Sequence, residues 1–382
     1  MPDILVLGAT GYTGRFTIKA LDEHPQRDQF TYTSRTVVIN WRGRIGYMGR
    51  MCRVSEAEAV LQKGLYTDTS LPVTSFDYLA TKTGAILIPA CGFDSIPSDI
   101  LVHLSNRTIK NALGPTAALG LSQTYFSVGG GFSGGSVASL MAELEQVPGH
   151  LAKEARSDWS LSPGASSYCS SSSSRLKPGA SNSAWSPMSD TLPRHARAFY
   201  VPQQYAGWWV IAAPNRGCVQ RTWGLNELAV AATSSASVKE RKFRYVEYFV
   251  TGTSKVTATA VSVGILVFFT LVTYCAPVRW LFKMLMLLQD LTCQGGHMGN
   301  HECYRVCVFT GRVRQITMRG TGNVGYYKTA YMLVESALAL LLDDASLPEA
   351  ARAGGVLTPS TPSGVSWLAV SRRTRRSSSK AR

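Results

Sequence analysis

The chain opens with a strand that runs into a spaced glycine triplet, and few features restrict a fold more. Asp3 to Leu7 reads Asp-Ile-Leu-Val-Leu, a short apolar run without alternation, the pattern of a strand buried on both faces of a parallel sheet. It leads into Gly8-Ala9-Thr10-Gly11-Tyr12-Thr13-Gly14, and a helical stretch follows from Arg15 to about Glu23. Strand, glycine turn and helix in that order make the first half of a nucleotide-binding βαβ unit. Each glycine has its own reason. Gly8 lets the chain turn off the strand, Gly11 lets a pyrophosphate approach the backbone, and Gly14 lets the helix pack close to the sheet. The free N–H groups of the first helical turn then hold the phosphates. A purely structural glycine turn is the alternative; the setting between strand and helix favours nucleotide binding.

The end of the second strand selects the nucleotide. Gln29 to Ser34 reads as a strand closed by Arg35, and the stretch Thr33-Ser34-Arg35 holds no acid. An acid there would take a ribose 2′-hydroxyl, whereas an Arg suits a 2′-phosphate. Ser34 and Arg35 therefore point to NADP(H), with NAD(H) as the alternative and a plain surface cation as the other reading of Arg35. Val37 to Ile39 is a further apolar run, reached with almost no connection. Neighbouring parallel strands need a crossover of about a dozen residues, so the parallel sheet is expected to be incomplete here. Gly84 to Cys91 reads as another buried strand, followed by Gly92-Phe93-Asp94-Ser95 and a helix from about Pro97 to Ser105. Ligands of open α/β sheets bind outside the carboxyl ends of strands, which adds Cys91, Gly92 and Asp94 to the candidate cofactor site. Asp94 or Ser95 would also serve as a helix N-cap.

Other chemistries find little support. There is no Ser-His-Asp order, no His-Glu-x-x-His motif and no P-loop. Cys293, His297, His301, Cys303 and Cys307 could offer soft ligands, but their spacing matches no standard zinc site, and no metal is expected. The net charge is +15, and the last eleven residues, Arg372 to Arg382, hold six basic residues and no acid. Such a tail suits a solvated end or an anionic membrane surface. No nucleic-acid-binding motif accompanies it, so a nucleic-acid partner is not expected. The first residues lack the basic start and long apolar run of a signal peptide, which implies a cytoplasmic protein with reduced thiols.

From about Leu119 the texture turns to strands and polar loops, and residues 160–190 are rich in Ser, Pro and Gly. Phe243 to Val250 reads as a half-buried strand. Val256 to Ala276 then runs 21 residues without a charge, although six of them are Thr, Ser or Gly. About 20 apolar residues suffice to cross a bilayer. Trp280 with Arg279 and Lys283 would place an aromatic and two cations at headgroup level. Tyr304 to Met318 reads as a further strand, and this and the strand Phe243 to Val250 should share one sheet, so the run between them is expected to form an interfacial or re-entrant hairpin with Met284 to Leu291 as its second arm. A wholly buried helix is the alternative. Tyr326 to Leu342 reads as a strong helix, and Gly355 to Pro359 as a late extended segment.

These stretches together resemble the saccharopine dehydrogenase-like oxidoreductases, a family that includes the trans-acting enoyl reductases. The resemblance rests on LGATGYTG at Leu7 to Gly14, GAILIPACGFDSIPSD at Gly84 to Asp99, GGGFSGGSVAS at Gly129 to Ser139, SDWSLSPG at Ser157 to Gly164, KFRYVEYFVTG at Lys242 to Gly252, PVRWLFK at Pro277 to Lys283, GYYKTAYMLVESALAL at Gly325 to Leu340 and GGVLTP at Gly354 to Pro359, in collinear order. It implies an α/β chain: a Rossmann-type NADP-binding domain over residues 1–118, an α+β substrate domain over 119–324 with a hydrophobic helical insertion at 256–291, a helix at 325–345 returning to the first domain, and a C-terminal segment at 346–382 with the basic tail. It further implies NAD(P)H-linked reduction of a lipid, polyketide-type or carrier-bound substrate; the uncharged run and the basic tail add the expectation of a membrane or lipid-droplet surface, and a homodimer is expected as the assembly to test for. It brings no defined catalytic residues. The family has a helix, a strand and another helix between the segments matching Arg35 and Val37, so about 40 residues are expected to be missing here. The second reading is an inactive membrane- or lipid-droplet-associated binding protein that keeps the fold.

Overall fold

Among the described residues the strands form two sheets, and one long helix joins them. The computed structural model describes residues 3–7, 12–35, 49–54, 58–63, 70–114, 117, 119–128, 141, 144–145, 157–163, 205–207, 209–233, 243–252, 255–292, 303–310, 314–321, 324–342, 347–348 and 352–363. The first sheet is built from β1 (Asp3–Leu7), β2 (Thr31–Arg35), β3 (Gly49–Val54), β4 (Glu58–Lys63), β5 (Ile86–Ile88) and, late in the chain, β11 (Gly355–Val356). Its order is β11-β5-β3-β4-β1-β2. β1 lies between β4 and the edge strand β2, and its apolar character matches its burial: Ile4 and Val6 are buried, and α1 (Tyr12–Asp22) follows it.

β1 pairs in parallel with both β2 and β4, β3 runs antiparallel to β4 and to β5, and β11 is parallel to β5. Five strands therefore point one way and β3 alone is reversed. This differs from the incomplete parallel sheet read from the sequence. A hairpin over 49–63, joined by three residues, fills the middle of the sheet, because an antiparallel pair needs no crossover helix. The run Val37 to Ile39 lies outside the described residues.

The second sheet is formed by β6 (Leu121–Ser127), β7 (Tyr205–Gly207), β8 (Arg244–Gly252), β9 (Cys303–Thr310) and β10 (Arg314–Thr321), in the order β10-β9-β6-β8-β7. β9 and β10 form an antiparallel hairpin within the segment read as one strand, and β6 pairs in parallel with β8. α2 (Ser70–Thr83) packs on the β5–β11 side of the first sheet. α3 (Ile96–Leu113) starts at the end of β5 and packs on β9, β10 and α4 (Ala212–Thr233), so it physically couples the sheets. α4 carries Pro214 in its first turn, where the missing N–H has no helical partner to lose. α5 (Lys255–Tyr274) and α6 (Ala276–Thr292) form a helical hairpin beside β7 and β8. α7 (Thr329–Leu342) lies against α1 and β4 and is buried from Met332 to Leu340. One apolar core runs through Ile4, Ile88, Ile100, Phe126, Val219, Tyr245 and Leu338.

Candidate active site

The register of the first sheet gathers the sequence-derived site at one edge. Leu7, the last residue of β1, lies opposite Arg35 of β2, and Val6 lies opposite Ser34. On the other side Leu7 lies opposite Gln62 of β4. The chain thus steps from β1 to β2 on one flank and then crosses to β4 on the other. This is a topological switch point, where open α/β sheets bind ligands. The backbones of Ser34 and Arg35 stand beside the place where β1 hands over to Gly8. Gly8, Ala9, Thr10 and Gly11 lie outside the described residues. Tyr12 begins α1, and Thr13 and Gly14 are buried in its first turn, as close packing against the sheet requires.

β5 runs parallel to β1, so Cys91, Gly92 and Asp94 emerge at the same edge. Two strands, β3 and β4, separate them from β1, roughly 14 Å at the usual strand spacing. The Cys91 side chain is closed off from solvent. It is buried with the Ser336 hydroxyl of α7, and burial pushes its thiol up to about 12 while that hydrogen bond pulls it down. It is an inert packing group, and any part it plays toward a cofactor goes through its backbone. The Phe93 N–H donates to Thr329 Oγ1 at 3.1 Å, and a Cβ on Gly92 would meet Thr329 Cγ2 at 3.3 Å. The start of α7 therefore clamps this loop.

The N-cap expectation is corrected in detail. Ser95 is the N-cap of α3, but its hydroxyl makes no cap bond. It donates instead to Asn215 Oδ1 at 2.8 Å, because a buried amide on α4 stands directly against it. Asn215 Nδ2 donates to the Asp94 carbonyl at 2.7 Å and to Glu247 Oε1 at 2.8 Å. Glu247 Oε2 accepts from Ser98 at 2.9 Å and from Tyr245 at 2.6 Å. A glutamate on the second sheet thus holds an asparagine on α4, which holds the Asp94–Ser95 loop of the first sheet. Burial pushes the Glu247 carboxyl up to about 8 against the pull of the hydrogen bonds from Tyr245, Asn215 and Ser98. Burial likewise raises the Tyr245 phenol, with the Glu247 charge adding to it. Asp99, one turn into α3, accepts from Thr222 at 2.5 Å and from the Ser360 N–H at 2.9 Å, and burial pushes it up to about 6.

The sequence reading missed Asn215, Glu247 and Thr329. Glu247 did leave a signal: it sits in the same strand phase as Phe243, Tyr245 and Phe249, an acid where the alternation calls for an apolar side chain. The stretch before Thr329, Val324–Lys328, forms a π-helical turn, a feature enriched at functional sites. There the Tyr327 ring meets Phe16 of α1 edge to face at 5.7 Å, and Lys328 Nζ lies 5.4 Å over the same ring.

No family model matches the chain, and no solved structure matches it. It is similar to a Mycobacterium tuberculosis protein provisionally named a trans-acting enoyl reductase, 26% identical over 424 residues that cover 96% of this chain and 94% of that protein. It is 28% identical to a trans-acting enoyl reductase of Mycobacterium ulcerans over 76% of this chain and 66% of the relative. It is 30% identical to one of Mycobacterium leprae over 36% of this chain and 43% of the relative. The 424-residue span exceeds the 382 residues of this chain, so the M. tuberculosis protein carries residues where this chain has none. A distant homology to the mycobacterial trans-acting enoyl reductases therefore extends over nearly the whole chain.

Proposed function

We propose that this protein is an NADP(H)-dependent oxidoreductase of the saccharopine dehydrogenase-like kind. It would reduce a carbon–carbon double bond in a lipid, polyketide-type or carrier-bound acyl substrate at a membrane or lipid-droplet surface. The observation that carries the reading is the shared carboxyl edge of the first sheet, where the end of β1 and the Ser34–Arg35 backbone meet at a switch point and the Gly92–Asp94 loop emerges roughly 14 Å along the same edge. The names of the relatives supply the reaction class. Bound there, the nicotinamide would supply a hydride. The chain's own part is to hold it: the N–H groups of the first turn of α1 take the pyrophosphate, Arg35 takes the 2′-phosphate, and the Asn215-tied loop fixes the far end. NAD(H) fits the same edge apart from Arg35.

The experiment is a titration of NADPH and NADH followed by their fluorescence, then turnover of a 2-enoyl thioester with NADPH deuterated at the transferred position. Deuterium in the reduced acyl chain is the expected result. Gly11→Asp should abolish binding, because a carboxylate would repel the pyrophosphate. Arg35→Ala should weaken NADPH by about 1.5–3 kcal/mol and leave NADH nearly unchanged; equal losses would remove Arg35 from the site. The second reading, an inactive binding protein, is favoured by the hairpin over 49–63 and by the residues that the M. tuberculosis protein carries and this chain lacks. NADPH binding without deuterium transfer to any enoyl thioester would support it.

A further inference from the structure

We infer that the hairpin α5–α6 lies flat in a lipid surface and inserts one uncharged ridge, made by Val256, Val267 and Leu271 of α5 with Trp280, Leu281 and Leu285 of α6. This rests on the reading that the protein works at a lipid surface, and it adds the segment, its orientation and its depth. Val256–Tyr274 has a mean hydropathy of 2.1, yet only 17% of its most apolar window is buried. All six ridge residues are exposed, Trp280 to 63%, and Tyr274 at the bend reaches 84%. Apolar patches of this kind on a protein surface mark contact sites.

The orientation follows from what the other face does. Ala258, Ser262 and Val272 are buried at helical spacing along one stripe of α5. A side chain at Gly207 would overlap the Ser262 hydroxyl, so α5 is seated on β7. Toward its other end, Val272 packs with Met141, Leu144, Phe269, Val278 and Phe282. A helix sealed to protein along its length is not ringed by lipid. β8 leads into the hairpin and β9 leads out of it, and both pair with the end of β6: Phe249 and Val306 each face Phe126. The hairpin therefore leaves and returns at one end of one sheet.

Three details suit lipid better than a protein partner. The hydroxyls of Thr270 and Thr273 donate to the carbonyls of Leu266 and Phe269 at 2.8 and 2.7 Å, so they bring no unmet hydrogen bond into a dry phase. Arg279 turns inward and donates to the Val272 and Thr273 carbonyls at 3.0 and 2.7 Å, while Lys283 meets Glu145 at 2.6 Å. The cations placed at headgroup level by the sequence reading are thus engaged within the protein, and the ridge stays uncharged. A protein interface carries about one hydrogen bond per 100–200 Å², whereas the six ridge side chains offer a single polar group, the Trp280 N–H. The basic stretch Arg372 to Arg382 adds attraction to anionic headgroups.

The test is flotation of the purified full chain with phosphatidylcholine vesicles, with and without phosphatidylserine. The parent should float with both and better with the anionic set. Val267→Glu/Leu281→Glu should lose about a hundredfold in vesicle affinity while keeping the parent's circular dichroism. The control Leu113→Glu/Leu228→Glu, which alters exposed leucines elsewhere, should float like the parent. Trp280 emission, taken as the difference from Trp280→Phe, should be quenched by lipids brominated near the headgroup end of the chain. If the ridge variant floats as well as the parent, another segment docks and the inference falls while the surface reading stands. Quenching mainly from the bilayer centre overturns the flat orientation. If the parent never floats, both fall, and a parent dimer that the ridge variant dissolves would make the ridge a subunit contact.

Discussion

The seam between the two sheets and the outer ridge of the hairpin invert the usual arrangement in opposite directions. The seam buries carboxyl, amide, guanidinium and hydroxyl groups: Asp99, Glu247, Asn215, Arg221, Ser98 and Thr222 are all below a tenth exposed. The ridge shows leucine, valine and tryptophan to the outside. Each arrangement costs stability if its groups are left as they are in water, and the difference lies in how that cost is met. In the seam it is met inside the chain. Arg221, for example, donates to the carbonyls of Val356 and Leu161 and pairs with Asp77 at 2.8 Å, tying α4 to β11 and α2. On the ridge nothing within the described residues meets it, which leaves the work to a surface outside the chain. Changes in the seam should therefore unfold or disorder the protein, whereas changes on the ridge should leave folding alone.

The largest effect is expected at Asn215. Asn215→Leu removes the partner of the Asp94 carbonyl, the Ser95 hydroxyl and Glu247 at once. Glu247 keeps the Ser98 and Tyr245 hydroxyls, so the change takes one hydrogen bond from each of three groups and costs about 3 kcal/mol, at about 1 kcal/mol each. The denaturant midpoint measures it. A loss under about 1 kcal/mol, within the ordinary range for a mutation, would mean that the seam is looser than its geometry and would erase the contrast with the ridge.

Next comes pH. Burial holds Glu247 protonated up to about 8 and Asp99 up to about 6, whereas in an unfolded chain they ionise near 4.5 and 3.8. Between those limits the folded state binds more protons than the unfolded state. Stability from these groups is thus complete below about pH 4 and falls as pH rises through 6 and then 8. The melting temperature should drop along that path, and Glu247→Gln should flatten its upper part. Acids ionised in both states bind no protons differentially, so in a His103→Gln background, which removes the opposing histidine, a melting temperature that stays flat from about pH 6 to 8 would show that both acids are ionised in the fold.

A smaller change is expected where the seam meets the cofactor edge. Thr329→Val removes the acceptor for the Phe93 N–H while keeping the methyl that touches Gly92. It should cost about 1 kcal/mol of stability. If the loop holds the cofactor, NADPH affinity should fall with it. An unchanged affinity beside a lowered stability would place Cys91, Gly92 and Asp94 outside the binding site.

What the sequence disclosed follows from where local chemistry is sufficient. The glycine triplet and the apolar β1 and β5 announce themselves within a few residues, and register then aligns Arg35 with Leu7. The hairpin over 49–63 did not show. Gly-Arg-Met-Cys-Arg-Val and Glu-Ala-Val-Leu-Gln-Lys carry charges and weak periodicity, and only pairing with β1 and β5 makes them strands. Asn215 was invisible because α4 has almost no amphipathic pattern: it is packed on several sides, and its polar residues face inward. The hairpin that α5 opens was legible in its uncharged run, but which face of α5 points outward was not. Its inward stripe begins with small residues, Ala258 and Ser262, while large ones point outward, so composition resembles that of α7, which is buried nearly all round.

The smallest effect is the one that decides the comparison. Leu271 lies on the ridge, 45% exposed, at the turn of α5 whose inward residue is Val272. Leu271→Ser removes apolar surface that folding does not fully bury and adds a hydroxyl that can reach water or the carbonyl four residues back. Its effect on the melting midpoint in detergent-free buffer should stay within about 0.5 kcal/mol. The neighbouring Val272→Ser change, at a wholly buried site, should cost about 1–3 kcal/mol through a cavity and a buried hydroxyl. Two adjacent substitutions with the same new side chain then separate the faces of one helix. Equal losses at both positions would mean that something covers the ridge in solution. The contrast between a self-satisfied seam and an open ridge would then no longer hold.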